Sequence, residues 1–76
     1  MIGGNFLMAT SLSKNFATNV RARRKALKLS QQELADAANI DRTYASQIER
    51  AIANPSLLVV ESIAKALNTS PVDLLK

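Results

Sequence analysis

The chain has 76 residues, enough for one domain, and neither cysteine nor histidine, so disulfides, cysteine metal clusters and imidazole chemistry are excluded. Hydrophobic residues make up 47% but aromatics only 4%; alanine and branched aliphatics carry the apolar content, as in helix bundles rather than sheets. The net charge of +4 is unevenly spread: Lys14, Arg21, Arg23, Arg24, Lys25 and Lys28 form a stretch without an acid, and all 6 acids follow from Glu33 onward. A basic segment on a near-neutral body points to a polyanionic partner, nucleic acid before anionic membrane, with a merely solvated helix face as the plainer alternative.

Residues 1–12 have no basic start and no long apolar stretch, and are expected to be a poorly ordered tail rather than a signal peptide; Met8 is an alternative start. No apolar run reaches the ~20 residues that span a bilayer. The expected location is therefore the cytoplasm, with no membrane association.

Helix-start signals then recur at short intervals. The first helix is expected over 13–28, with Phe16, Val20 and Leu27 on its inner face. Ser30, three residues before Glu33, makes a capping box for a second helix over 31–38, in which Leu34, Ala35 and Ala38 face inward. Asn39 suits the left-handed residue that ends a helix. Asp41 caps a third helix over 42–50, with Tyr44, Ala45 and Ile48 inward; Tyr44 is read as a packing residue rather than a base-stacking one. Asn54-Pro55 marks a turn, and Ser56 opens a fourth helix over 57–67 with an inward stripe of Leu57, Val60, Ile63, Ala64 and Leu67. Ser70-Pro71-Val72-Asp73 starts a one-turn helix over 71–75, with Val72 and Leu75 closing the core.

The second and third helices are short and joined by only Asn39-Ile40-Asp41, so they must cross steeply, and Ala35 permits the close approach. Such a pair can present its second helix to a DNA major groove.

The chain here resembles the Cro/C1-type (Xre-like) helix-turn-helix regulators. The resemblance rests on Arg24, on Leu29-Ser30-Gln31-Gln32-Glu33-Leu34-Ala35, on Tyr44 with Ile48-Glu49-Arg50, on Asn54-Pro55-Ser56-Leu57, and on Ile63-Ala64-Lys65-Ala66-Leu67 with Leu74-Leu75. Asp41-Arg42-Thr43-Tyr44 with Ile48-Glu49-Arg50 looks most like the small controller proteins of restriction–modification systems. The implied fold is all-α, a five-helix lambda-repressor-like DNA-binding domain over 13–76. Two departures stand out. Asn39 replaces a frequent glycine at little cost, and Ala51 replaces the glycine that often follows the Glu-Arg pair. A left-handed alanine costs about 1 kcal/mol, so the third helix is expected to run on a little further.

The resemblance assigns base contacts to Arg42, Thr43, Ser46 and Gln47, a phosphate contact to Gln31, and a structural ion pair to Arg24 and Glu49. Arginine grips guanine O6 and N7 with two bonds, and glutamine pairs with adenine N6 and N7. From charge alone, Arg21, Arg23, Lys25, Lys28 and Arg50 are further candidates for phosphate contact. Leu58 and Val59 point partly outward from the inward stripe, and Leu74 is grouped with them as a candidate dimer interface. The expected function is a homodimeric transcriptional regulator, a controller or phage-type repressor, on a palindromic operator in double-stranded DNA. No cofactor, metal site or enzymatic activity is expected. The alternative is an antitoxin-type interaction module that sequesters a toxin; an RNA polymerase subunit is another possible protein partner.

Overall fold

The computed structural model describes residues 10–76; the expected tail lies outside the described residues except for its last three positions. Five helices follow in order: α1 (Ser11–Ala26), α2 (Gln31–Ala38), α3 (Arg42–Glu49), α4 (Leu57–Ala66) and α5 (Pro71–Leu75). None is long and apolar enough to cross a membrane. α1 starts two residues earlier than expected because Thr10 and Ser13 form a reciprocal capping box, each side chain accepting from the other residue's backbone N–H. Ser30, Asp41, Ser56 and Ser70 cap the other four starts as their sequence positions imply.

The four longer helices all stop in the same way. Lys28, Asn39, Ala51 and Asn68 take left-handed backbone, with φ of 60°, 57°, 60° and 55°. The residue after each donates its N–H back over the last turn: Leu29 to Arg24 O, Ile40 to Ala35 O, Ile52 to Gln47 O and Thr69 to Ala64 O. These bonds satisfy carbonyls that would otherwise be orphaned at the helix end. Ala51 thus corrects the expectation that α3 runs on: two backbone bonds, Ala51 N–H to Ile48 O and Ile52 N–H to Gln47 O, outweigh the strain of a left-handed alanine.

α1 packs against α3 and α5, α2 against α3 and α4, and α4 against α5. The core contains Phe16, Val20, Leu34, Ala38, Ile48, Val60, Ile63, Ala64, Leu67 and Leu74. The largest fully buried side chains, Leu34, Ile63, Leu67 and Val20, each contribute roughly 2 kcal/mol through burial. Leu29 and Tyr44 pack on this core half-buried, whereas Leu27 is exposed just beyond the end of α1.

Three side-chain expectations are reversed at the other end of the bundle. Leu57, the first residue of α4, is 79% exposed, and Val72 is exposed as well. Leu74, grouped with the dimer candidates, is 2% exposed and closes the core in place of Val72. Its orientation follows from how α5 is fastened: Asn19 Nδ2 donates to Leu74 O at 2.9 Å and Asn15 Nδ2 to Lys76 O at 3.2 Å. Those bonds set the rotation of α5 on α1, so Leu74 turns inward.

α3 is fixed to α1 by a buried ion pair. Arg24 Nε donates to Glu49 Oε2 at 2.6 Å and Nη2 donates to Oε1 at 3.0 Å, while Nη1 donates to Leu29 O at 2.8 Å. The Glu49 side chain is 3% exposed. Hydrogen bonding to Glu49 raises the Arg24 pKa above its ordinary value, against the opposing effect of burial, and the Coulombic attraction of Glu49 adds to the rise. No buried side-chain nitrogen or oxygen among the described residues lacks a partner.

Two stability predictions follow from these contacts. Ala51→Gly should stabilise the domain by about 1 kcal/mol, since glycine takes left-handed backbone without a Cβ clash; urea denaturation checks this. Arg24→Ala should destabilise by about 3 kcal/mol by stranding the Glu49 charge. In a double-mutant cycle with Glu49→Ala the two losses should be strongly non-additive, and simple addition would contradict a direct pair.

Candidate nucleic-acid interface

α2 and α3 are eight-residue helices joined through Asn39, whose left-handed backbone turns the chain sharply. Ile40 packs under the turn, and Ala35 and Ala45 are buried where the helices approach. On α3, Ala45, Ile48 and Glu49 are buried, which fixes which side of the helix faces the body. Arg42 and Thr43 are exposed at its start, and Ser46 and Gln47 follow half-exposed one turn later. The four thus form a polar strip of side chains able to donate hydrogen bonds, along the side that the core does not use. Asp41 is occupied at this end as a cap, its Oδ2 accepting from Thr43 N–H at 2.9 Å.

The other expected residues divide into two groups. Arg21, Lys25, Lys28 and Arg50 are exposed and stand clear of the core. Arg21 and Lys25 lie one turn apart on α1, while Lys28 precedes the start of α2 and Arg50 follows the end of α3. Arg23 is placed differently. Its Nε donates to Leu67 O at 2.9 Å and its Nη2 to Asn68 O at 3.0 Å. It therefore covers the carbonyl end of α4, where a cation also meets the negative end of the helix dipole. This corrects its grouping with the phosphate candidates: its guanidinium is taken up by the scaffold.

Gln31 opens α2 and is half-buried, with Nε2 donating to Glu49 Oε1 at 3.2 Å. An amide nitrogen carries two N–H groups, so this bond aims the side chain while leaving its second N–H. One carboxylate thereby holds α1, the first residue of α2 and α3 together. Sequence reasoning identified the Arg24–Glu49 pairing but missed the Gln31 contact. Its signal was available only in three dimensions, because the partners lie 18 positions apart across a turn of unknown angle.

Comparison with known proteins agrees with this geometry. The helix-turn-helix family matches residues 20–74. The control protein C.SmaI of Serratia marcescens is 44% identical over 59 residues, covering 78% of this chain and 70% of that protein. The control protein C.BamHI of Bacillus amyloliquefaciens is 41% identical over 69 residues, covering 90% and 85%. Among solved structures, the restriction–modification controller protein C.AhdI of Aeromonas hydrophila superposes with a TM-score of 0.79 at 35% identity, over 82% of this chain and 94% of that one. The chain belongs to the Cro/C1-type helix-turn-helix family of DNA-binding transcriptional regulators.

Proposed function

We propose that this regulator is a controller of the restriction–modification kind, acting as a homodimer on a palindromic or near-palindromic operator. The observation that carries the reading is the polar strip of α3: Arg42 and Thr43 are exposed at the helix start, while the opposite side of α3 is locked to the body. A helix held in that way can lie in the major groove with its first turns against base edges. Arg42, Thr43 and Gln47 set sequence choice, and Ser46 assists. Gln31, Arg21, Lys25, Lys28 and Arg50 meet phosphates, which set register and affinity. The controller reading is supported by the extent of the likeness, since the match to C.BamHI spans 85% of that protein.

A two-fold dimer places two recognition helices about 34 Å apart, one turn of DNA. Leu58 is the leading residue of its interface: it is 75% exposed at the start of α4, with Ile52 also exposed and Val59 half-buried.

Selection from random duplex DNA should return a sequence with two-fold symmetry. Arg42→Ala should then lose about 1–3 kcal/mol of discrimination at particular base pairs, whereas Lys25→Ala should weaken all sequences alike and flatten the salt dependence by about one unit of slope. Uniform weakening by Arg42→Ala would overturn the base-reading role. Leu58→Asp should leave a folded monomer by analytical ultracentrifugation with operator affinity reduced; a variant that stays dimeric would remove Leu58 from the interface.

A further inference from the structure

The outer face of α1 carries a continuous basic line. Lys14, Thr18, Arg21 and Lys25 are all exposed, and their spacing of four, three and four residues stacks them along one side of a helix. Lys28 follows two residues past the helix end, on left-handed backbone. The first carboxylate of the chain is Glu33, so α1 contains no acid to pair with these cations. Lys14, Arg21 and Lys25 form no salt bridge among the described residues, whereas Arg23 and Arg24 of the same helix are both taken up by the scaffold.

This line costs the free protein stability. Arg21 and Lys25 are like charges one turn apart, and they repel. Lys14 stands in the first turn of α1, beside the positive end of the helix dipole, where an acid is favoured and a cation is not. A merely solvated face gains nothing from such an arrangement, while a polyanion laid along the helix relieves both penalties. An anionic membrane fits poorly as that polyanion. A helix that lies in a bilayer surface needs an apolar side to insert, and the apolar side of α1, with Phe16, Ala17 and Val20, is buried in the core.

We infer that the α1 line is a track for the sugar–phosphate backbone of DNA outside the base pairs that α3 reads, with Lys14 as its far contact. The inference rests on the proposed recognition of DNA by α3. The Lys25 end of the track is fixed beside the recognition unit, because the preceding residue, Arg24, grips Glu49 of α3. The Lys14 end lies by the close of α5, where the adjacent Asn15 bonds Lys76. From Lys14 to Lys25 the helix rises roughly 16 Å. One DNA strand carries a phosphate every ~3.4 Å of axis, so the track spans about five of them.

The test is binding of the full chain, at several salt concentrations, to two duplexes. One is the selected operator with a helical turn of flanking DNA on each side, and the other is the operator trimmed to the base pairs on which sequence choice depends. Lys14→Ala should weaken binding to the long duplex several-fold and flatten its salt dependence by about one unit of slope. It should leave the trimmed duplex unaffected, and Lys14→Arg should restore the affinity. Lys65→Ala, at an exposed lysine of α4, should change neither. The thermal midpoint of the free Lys14→Ala protein should rise by about 2 °C, opposite in sign to its effect on binding. Lys14→Ala binding the long duplex as well as Lys65→Ala does would overturn the inference, as would an equal loss on both duplexes or a lowered midpoint. Binding to anionic lipid vesicles that Lys14→Ala abolishes, with DNA affinity intact, would assign the line to a membrane instead. Failure of the base-reading role is told apart by Arg42→Ala, which would then weaken all sequences alike, whereas the Lys14 effect depends on duplex length alone.

Discussion

A single carboxylate organises the helix-turn-helix. Glu49 is almost entirely withdrawn from water, where an unpaired charge would cost several kcal/mol. It is kept there by two bonds from Arg24 and one from Gln31, and Arg24 in turn holds the carbonyl of Leu29. These contacts come from α1, from the turn after it, from the first residue of α2 and from the last turn of α3. Apolar packing is tolerant of small rotations, whereas a two-pronged guanidinium–carboxylate contact is directional. The core brings α3 against the body, and the ion pair sets the angle at which its polar strip leaves that body.

The helix ends complement this arrangement. Both glycines of the chain lie at positions 3 and 4, so no helix end of the bundle has one available. The turns nevertheless adopt left-handed backbone, twice on asparagine and once each on lysine and alanine. Asparagine accepts that conformation readily; Lys28 and Ala51 are strained and are held by the backbone bonds around them. The two strained turns flank the recognition unit, one before α2 and one after α3. They stop both helices short, and a shift in either would move Gln31 or Arg50 relative to the polar strip.

Much of this was legible in the sequence because its causes are local. Caps at Ser30, Asp41, Ser56 and Ser70 follow from a residue and its neighbours two or three positions on, and the periodic stripes of α2 and α3 place their inner faces. Other features depend on what another part of the chain supplies. A five-residue helix is too short for periodicity to define a face, so Leu74 and Val72 were exchanged until Asn15 and Asn19 fixed its rotation. Leu57 fits the inward period of α4 but lies in its first turn, which the described residues leave exposed. Arg23 reads like its basic neighbours until the carbonyl end of α4 is brought beside it. The polar strip of α3 was legible as a pattern of residue types, and its accessibility is a property of the fold.

The attachment of α5 to α1 joins positions far apart in the sequence: Asn19 meets Leu74 across 55 residues, and Asn15 meets Lys76 across 61. Leu74 is also the residue that seals the core. The interior shared by α1 to α4 is therefore open at one end until α5 docks on α1, and the seal comes from a residue far along the chain from the helices it closes. A nascent chain that lacks α5 has its helices and its capped turns but not its closed core. Closure of the core thus depends on a contact between distant parts of the sequence, and a product cut before α5 would leave an unsealed interior for proteases to find.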